Sequence, residues 1–112
     1  MSVEALWTVE FISNLQVFGS GVAVLETGRI FGGDAKYYYL GEYNVDPNGL
    51  VNATVRVTHF AGEPYSIFGN VKTFSLLLSG KVNVPEMELS GFVAGSPQLR
   101  IALRMTKRED LP

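Results

Sequence analysis

His59 is the only histidine of the chain, and cysteine is absent. Those two facts remove most residue sets from which nucleophilic or metal-assisted chemistry is built. A Ser-His-Asp triad or a multi-histidine metal site cannot be assembled around one imidazole without a second chain, and thiolate chemistry is excluded outright. His59 stands near the end of an alternating segment, where a lone histidine reads as structural. Glu86 and Glu88 form a close pair of carboxylates, the residue type of acid–base work. Their i, i+2 spacing puts them on one strand face, opposite Met87 and Leu89, which is the pattern of a solvated face. Gly19-Ser20-Gly21 superficially matches a phosphate-cradling loop, but no helix follows and the Lys-Ser/Thr of a P-loop is missing. Tyr37, Tyr38 and Tyr39 offer stacking surfaces, yet only Lys36 lies beside them to track a phosphate backbone. No catalytic residue, metal or cofactor is expected, and the chain reads as a non-enzyme.

The elements that position these residues are strands. Period-two alternation bounded by Gly, Asn, Asp and Pro dominates, and no window holds a helical period. Eight segments are predicted: Ala5 to Ser13, Gly21 to Glu26, Arg29 to Phe31, Lys36 to Tyr43, Leu50 to Phe60, Lys72 to Lys81, Glu86 to Ala94 and Gln98 to Thr106. Asn44 to Gly49 is the strongest turn signal, because Pro47 fixes φ and Asn48-Gly49 accepts positive φ. Gly32 and Gly33 mark a bulge, a sharp bend or a close backbone approach. Residues 61–70 read as an irregular stretch that packs onto something, since Tyr65, Ile67 and Phe68 are apolar for a solvated loop. Lys107 to Pro112 reads as a frayed polar tail.

With 112 residues, 46% of them hydrophobic and 18% charged, the chain is expected to form one domain over residues 1–112 around one core. Eight short strands joined by tight turns favour a closed antiparallel barrel, because closure removes exposed edges. A barrel of that size is filled by side chains or holds one small ligand. The inward positions expected to line its cavity are Trp7, Val9, Phe11, Val55, Val57, Leu99, Ile101 and Leu103. Nine basic and eleven acidic residues, dispersed to a net charge of −2, give no footprint for a phosphate backbone, so direct nucleic-acid binding is not expected. Neither a signal peptide nor an eighteen-residue apolar run is readable, and the expectation is a cytoplasmic protein with no membrane partner.

One ordered series of residues adds to this: Phe11, Ser13 and Asn14, then Gly19 and Gly21, Gly28, Gly32-Gly33-Asp34 and Gly41. That series resembles the GrlR-like family of negative regulators of type III secretion loci, most strongly over residues 5–60. The resemblance implies a lipocalin-like eight-stranded barrel, a homodimer, and transcription regulation through binding a transcriptional activator protein. It also places a partner-binding loop after the fourth strand at Val45, Asp46, Pro47 and Asn48. Only Asp46 is acidic there, whereas the family's repressors carry a dense acidic loop. Two functions follow as expectations. The first is a regulatory protein that sequesters a protein partner; the second is a carrier or sensor of a small apolar ligand held in the barrel.

Overall fold

The computed structural model describes residues 3–112, and every regular element in it is a strand. They are β1 (Ala5–Ser13), β2 (Phe18–Glu26), β3 (Arg29–Gly33), β4 (Tyr37–Val45), β5 (Leu50–His59), β6 (Tyr65–Ser66), β7 (Gly69–Asn70), β8 (Thr73–Lys81), β9 (Glu86–Val93) and β10 (Ser96–Glu109). Eight of them close into an antiparallel barrel in the order β1-β10-β9-β8-β5-β4-β3-β2, while β6 and β7 pair as a separate hairpin. Every barrel strand except β5 and β8 therefore neighbours the strands next to it in sequence, and those two adjoin across the hairpin insertion. The seam is β1 against β10, with Val9 opposite Met105 and Phe11 opposite Leu103.

Alternation fixes which side chains enter the core. In β5, Val51, Ala53, Val55 and Val57 are buried and Asn52, Thr54 and Arg56 are exposed. Trp7 and Met87 are fully buried at the end of the barrel where β1 begins, and Trp7 donates its indole N–H to the Val3 carbonyl at 2.9 Å. A plug of large side chains closes that end. The other end carries the turns after β1, β3 and β9 and the long β5–β8 connection, and it is the mouth.

Several boundaries differ from the sequence reading, each for a physical reason. β2 starts at Phe18 rather than Gly21, because Gly19 and Gly21 occupy inward positions where an absent side chain is required. A Cβ on Gly21 would lie 2.7 Å from the Tyr39 hydroxyl. β3 runs through Gly32 and Gly33, which are paired strand residues, and the close backbone approach is found at Gly32, where a Cβ would lie 2.2 Å from the Val22 carbonyl oxygen. β4 extends to Val45, so that residue belongs to a strand and not to the following turn. The stretch 61–70 contains the β6–β7 hairpin. β10 reaches Glu109 and takes up much of the expected polar tail, since Thr106 pairs with both Thr8 and Glu86.

Candidate functional site

The interior holds a cavity of about 510 Å³. Its wall is built from inward positions of all eight barrel strands, among them Val9, Ala23, Val55, Leu76, Leu89 and Ile101. The strands coil closely around the cavity where side chains are missing. Inward-facing positions are glycine at Gly19 and Gly21 of β2, Gly32 of β3, Gly41 of β4, Gly80 of β8 and Gly91 of β9. At Gly41 a Cβ would stand 2.2 Å from the Thr54 carbonyl oxygen, so this position admits only glycine where β4 curls against β5.

Of the residues expected to line the cavity, Val9, Phe11, Val55, Val57, Ile101 and Leu103 lie on its wall. Trp7 and Leu99 do not. Trp7 points inward as alternation requires, but its position near the start of β1 puts it in the packed closed end. Leu99 sits where β10 shifts register between Ser96 and Arg100, past the end of its pairing with β9, and is only half-buried.

One polar cluster interrupts the apolar wall, close to the mouth. Asp34 opens the β3–β4 turn and accepts the amide N–H groups of Lys36 and Tyr37 on Oδ1, each at 2.9 Å. Its Oδ2 accepts the Tyr39 hydroxyl. Tyr39 reaches this carboxylate because Gly21 leaves the path clear. Burial, and then the bond to the Asp34 carboxylate and its negative charge, hold the Tyr39 phenol well above its ordinary value. Tyr37 donates its hydroxyl to the Val71 carbonyl and stacks edge-on against His59, with ring centroids 5.5 Å apart. Burial raises its pKa as well. Sequence reasoning missed the Asp34–Tyr39 pair. The readable signal was Gly-Gly-Asp followed by tyrosines at alternate positions 37 and 39.

The β6–β7 hairpin caps the mouth. Its tip residues Ile67 and Phe68 are buried, with Ile67 on the cavity wall and Phe68 edge-on to Phe74 at 5.5 Å. Ser66 Oγ accepts the Phe68 N–H at 3.0 Å and so shapes the tip. Ser13, the only buried polar side chain among the described residues, donates its hydroxyl to the Ile67 carbonyl at 2.7 Å and ties the cap to β1.

The other sequence candidates lie elsewhere. His59 contacts the Gly62 carbonyl through Nε2 at 2.8 Å and serves the long connection. Glu86 and Glu88 are exposed on the outer face of β9. Val45, Asp46, Pro47 and Asn48 lie at the closed end, opposite the mouth. There Asp46 Oδ1 accepts the N–H groups of Asn48 and Leu50, each at 2.9 Å, so the one acidic side chain of that turn shapes the turn itself. Among the described residues no cluster of His, Cys, Asp or Glu has the makings of a metal site, and no helix is long and apolar enough to cross a membrane. No family model matches the chain, and no curated protein matches its sequence.

Proposed function

We propose that the protein binds a small, mainly apolar molecule inside the barrel and acts as its carrier or sensor. The observation that carries this reading is the cavity of about 510 Å³ with a single polar cluster at its mouth end. Small-molecule sites typically enclose about 300–1,000 Å³, apolar with a few placed polar groups. The ligand's apolar body would lie against Val9, Val55, Leu76 and Ile101. Asp34 sets the chemistry of its polar end. A carboxylate oxygen accepts two hydrogen bonds, and Oδ1 already takes two amides while Oδ2 takes only the Tyr39 hydroxyl. The remaining capacity favours a ligand group that donates, a hydroxyl or an amine.

The test is a thermal-shift and calorimetric series with chain-length-matched alcohols, amines, carboxylates and hydrocarbons. A ligand at a hundred times its Kd adds about 2.7 kcal/mol to stability. Alcohols or amines are expected to stabilise most, and Val55→Trp, which fills the cavity, is expected to abolish the effect. An absence of stabilisation across the whole series, or binding that survives Val55→Trp, refutes the reading.

A second reading, regulation through a protein partner, is favoured by a different feature. Val22, Phe31, Tyr38 and Leu40 are exposed on the outer wall of β2–β4, and contiguous apolar surface of this kind marks interaction sites. The likeness to activator-binding repressors supports the same reading. Capture of an activator that is lost on Leu40→Glu is its expected signature.

A further inference from the structure

We infer that the rim of the cavity mouth is a docking surface for an anionic lipid bilayer, from which the barrel takes up its ligand or to which it delivers it. The purpose of the docking rests on the cavity reading above; the surface itself rests on separate observations. Leu15, Val17 and Phe18 project from the β1–β2 turn, and Phe18 is 73% exposed. Val17 and Phe18 also border the cavity. Tyr65, 60% exposed, also borders the cavity, and Phe60, 55% exposed, lies at the same end against Tyr38 of the outer wall. Large apolar side chains gathered around the opening of an apolar cavity are the arrangement by which a protein seats itself at the boundary between headgroups and acyl chains.

Charge selects the same end. With each strand divided at its midpoint, the mouth half holds Glu10, Asp34 and Glu63 against Lys36, Arg56, Lys72 and Arg100. The closed half holds the other eight of the eleven carboxylates against the other five of the nine cations. The mouth is the positive end of a negative molecule. Asp34 is moreover turned inward onto Tyr39, which leaves Glu10 and Glu63 as the exposed acids of the mouth half. Near an anionic surface each rim cation contributes about 1 kcal/mol, and the closed end is repelled, so the molecule approaches mouth first. A mouth-to-mouth dimer would instead bring two net-positive ends together, which argues for lipid as the occupant. A membrane partner at this rim departs from the sequence expectation of none. The rim joins residues 15–18 to residues 60–65, and only folding brings these together.

The experiment is co-flotation of the full chain with vesicles of phosphatidylcholine alone or with phosphatidylserine. Partitioning is expected on the anionic vesicles and is expected to fall as salt rises. Phe18→Asp combined with Leu15→Asp is expected to lower it roughly tenfold or more at an unchanged thermal midpoint, because both side chains are exposed. Arg100→Glu with Lys72→Glu is expected to lower it roughly twentyfold or more on anionic vesicles alone. Leu50→Asp, at the closed end, is expected to leave it unchanged. No partitioning, equal loss from Leu50→Asp, or rim variants that change only the protein's own sedimentation coefficient would overturn the inference. Uptake of an apolar fluorescent probe in vesicle-free buffer is measured in parallel. A barrel that takes up the probe and never partitions refutes the docking alone, and one that partitions through the rim without taking up the probe upholds the docking and refutes the cavity reading.

Discussion

Replacing Tyr39 by Phe removes the hydroxyl that reaches Asp34 and keeps the ring, so it isolates one hydrogen bond to a carboxylate. Such bonds contribute about 1.5–3 kcal/mol, and a loss near the lower figure is expected in denaturant unfolding. The same residue sets an alkaline limit. Its folded pKa lies above the ordinary value of 10.0, first through burial and then through Asp34. Above pH 10 the unfolded chain releases this proton while the folded chain retains it. The contribution is therefore complete below pH 10 and declines as pH climbs from there toward the raised folded value. Urea midpoints measured between pH 9 and 11 are expected to fall in the parent, and the fall is expected to be shallower in Tyr39→Phe, with Tyr37 and Tyr43, whose pKa values are also raised, supplying the remainder. Gly21→Ala attacks the same contact from the opposite wall. Its Cβ would stand 2.7 Å from the Tyr39 oxygen and 2.8 Å from the Gly33 carbonyl oxygen, and overpacking of this kind costs about 1–3 kcal/mol. Trp7→Ala empties the packed closed end, and an expected loss of about 3–5 kcal/mol is read from the same unfolding curves.

The β6–β7 hairpin is the element that decides access to the cavity, and Ser13 is its fastening. Ser13→Ala deletes the bond to Ile67, leaves that buried carbonyl without its partner, and is expected to cost about 1–2 kcal/mol. Hydrogen exchange at the Phe68 amide is expected to accelerate more than exchange in β5, because opening of the cap is local. Unchanged protection at Phe68 would show that apolar packing alone holds the cap. This element also marks where the sequence became hard to read. The strands that alternate cleanly, β1 and β5, are recognisable residue by residue, because Trp7, Val9 and Phe11 or Val51 to Val57 point to one side. The hairpin has strands of two residues each, too short for a period to register, so only its apolar content signalled that it was packed. The cavity was partly legible for the same reason. Aliphatic inward positions followed from alternation, whereas Asp34 and Tyr39 meet through a turn and an opposing glycine, a coincidence in three dimensions that spacing along the chain does not carry.

For the whole molecule, the outer wall remains to be accounted for. Val22, Phe31, Tyr38 and Leu40 are 47%, 38%, 40% and 38% exposed on one wall, an apolar patch of the kind that marks an interaction site. As the alternative to an activator protein on the β2–β4 wall, we propose a twofold association through it. Analytical ultracentrifugation is expected to show a dimer at tens of micromolar, about −6 to −7 kcal/mol of association, and a monomer for Leu40→Glu. A monomeric parent at that concentration would refute it. The barrel's closing seam has a further consequence, for how the chain comes to be folded at all. Thr8 of β1 contacts Thr106 of β10, 98 positions later. A ribosome adding about 5–20 residues per second leaves the free side of β1 unpaired for several seconds while the strands between are made. During that interval the growing meander presents two bare edges, one fixed at β1 and one advancing with each new strand, and either can accept a strand from another nascent chain. The last strand of the barrel thus acts as a zip, and the interval before it arrives is the period in which the chain most needs to be kept away from its neighbours.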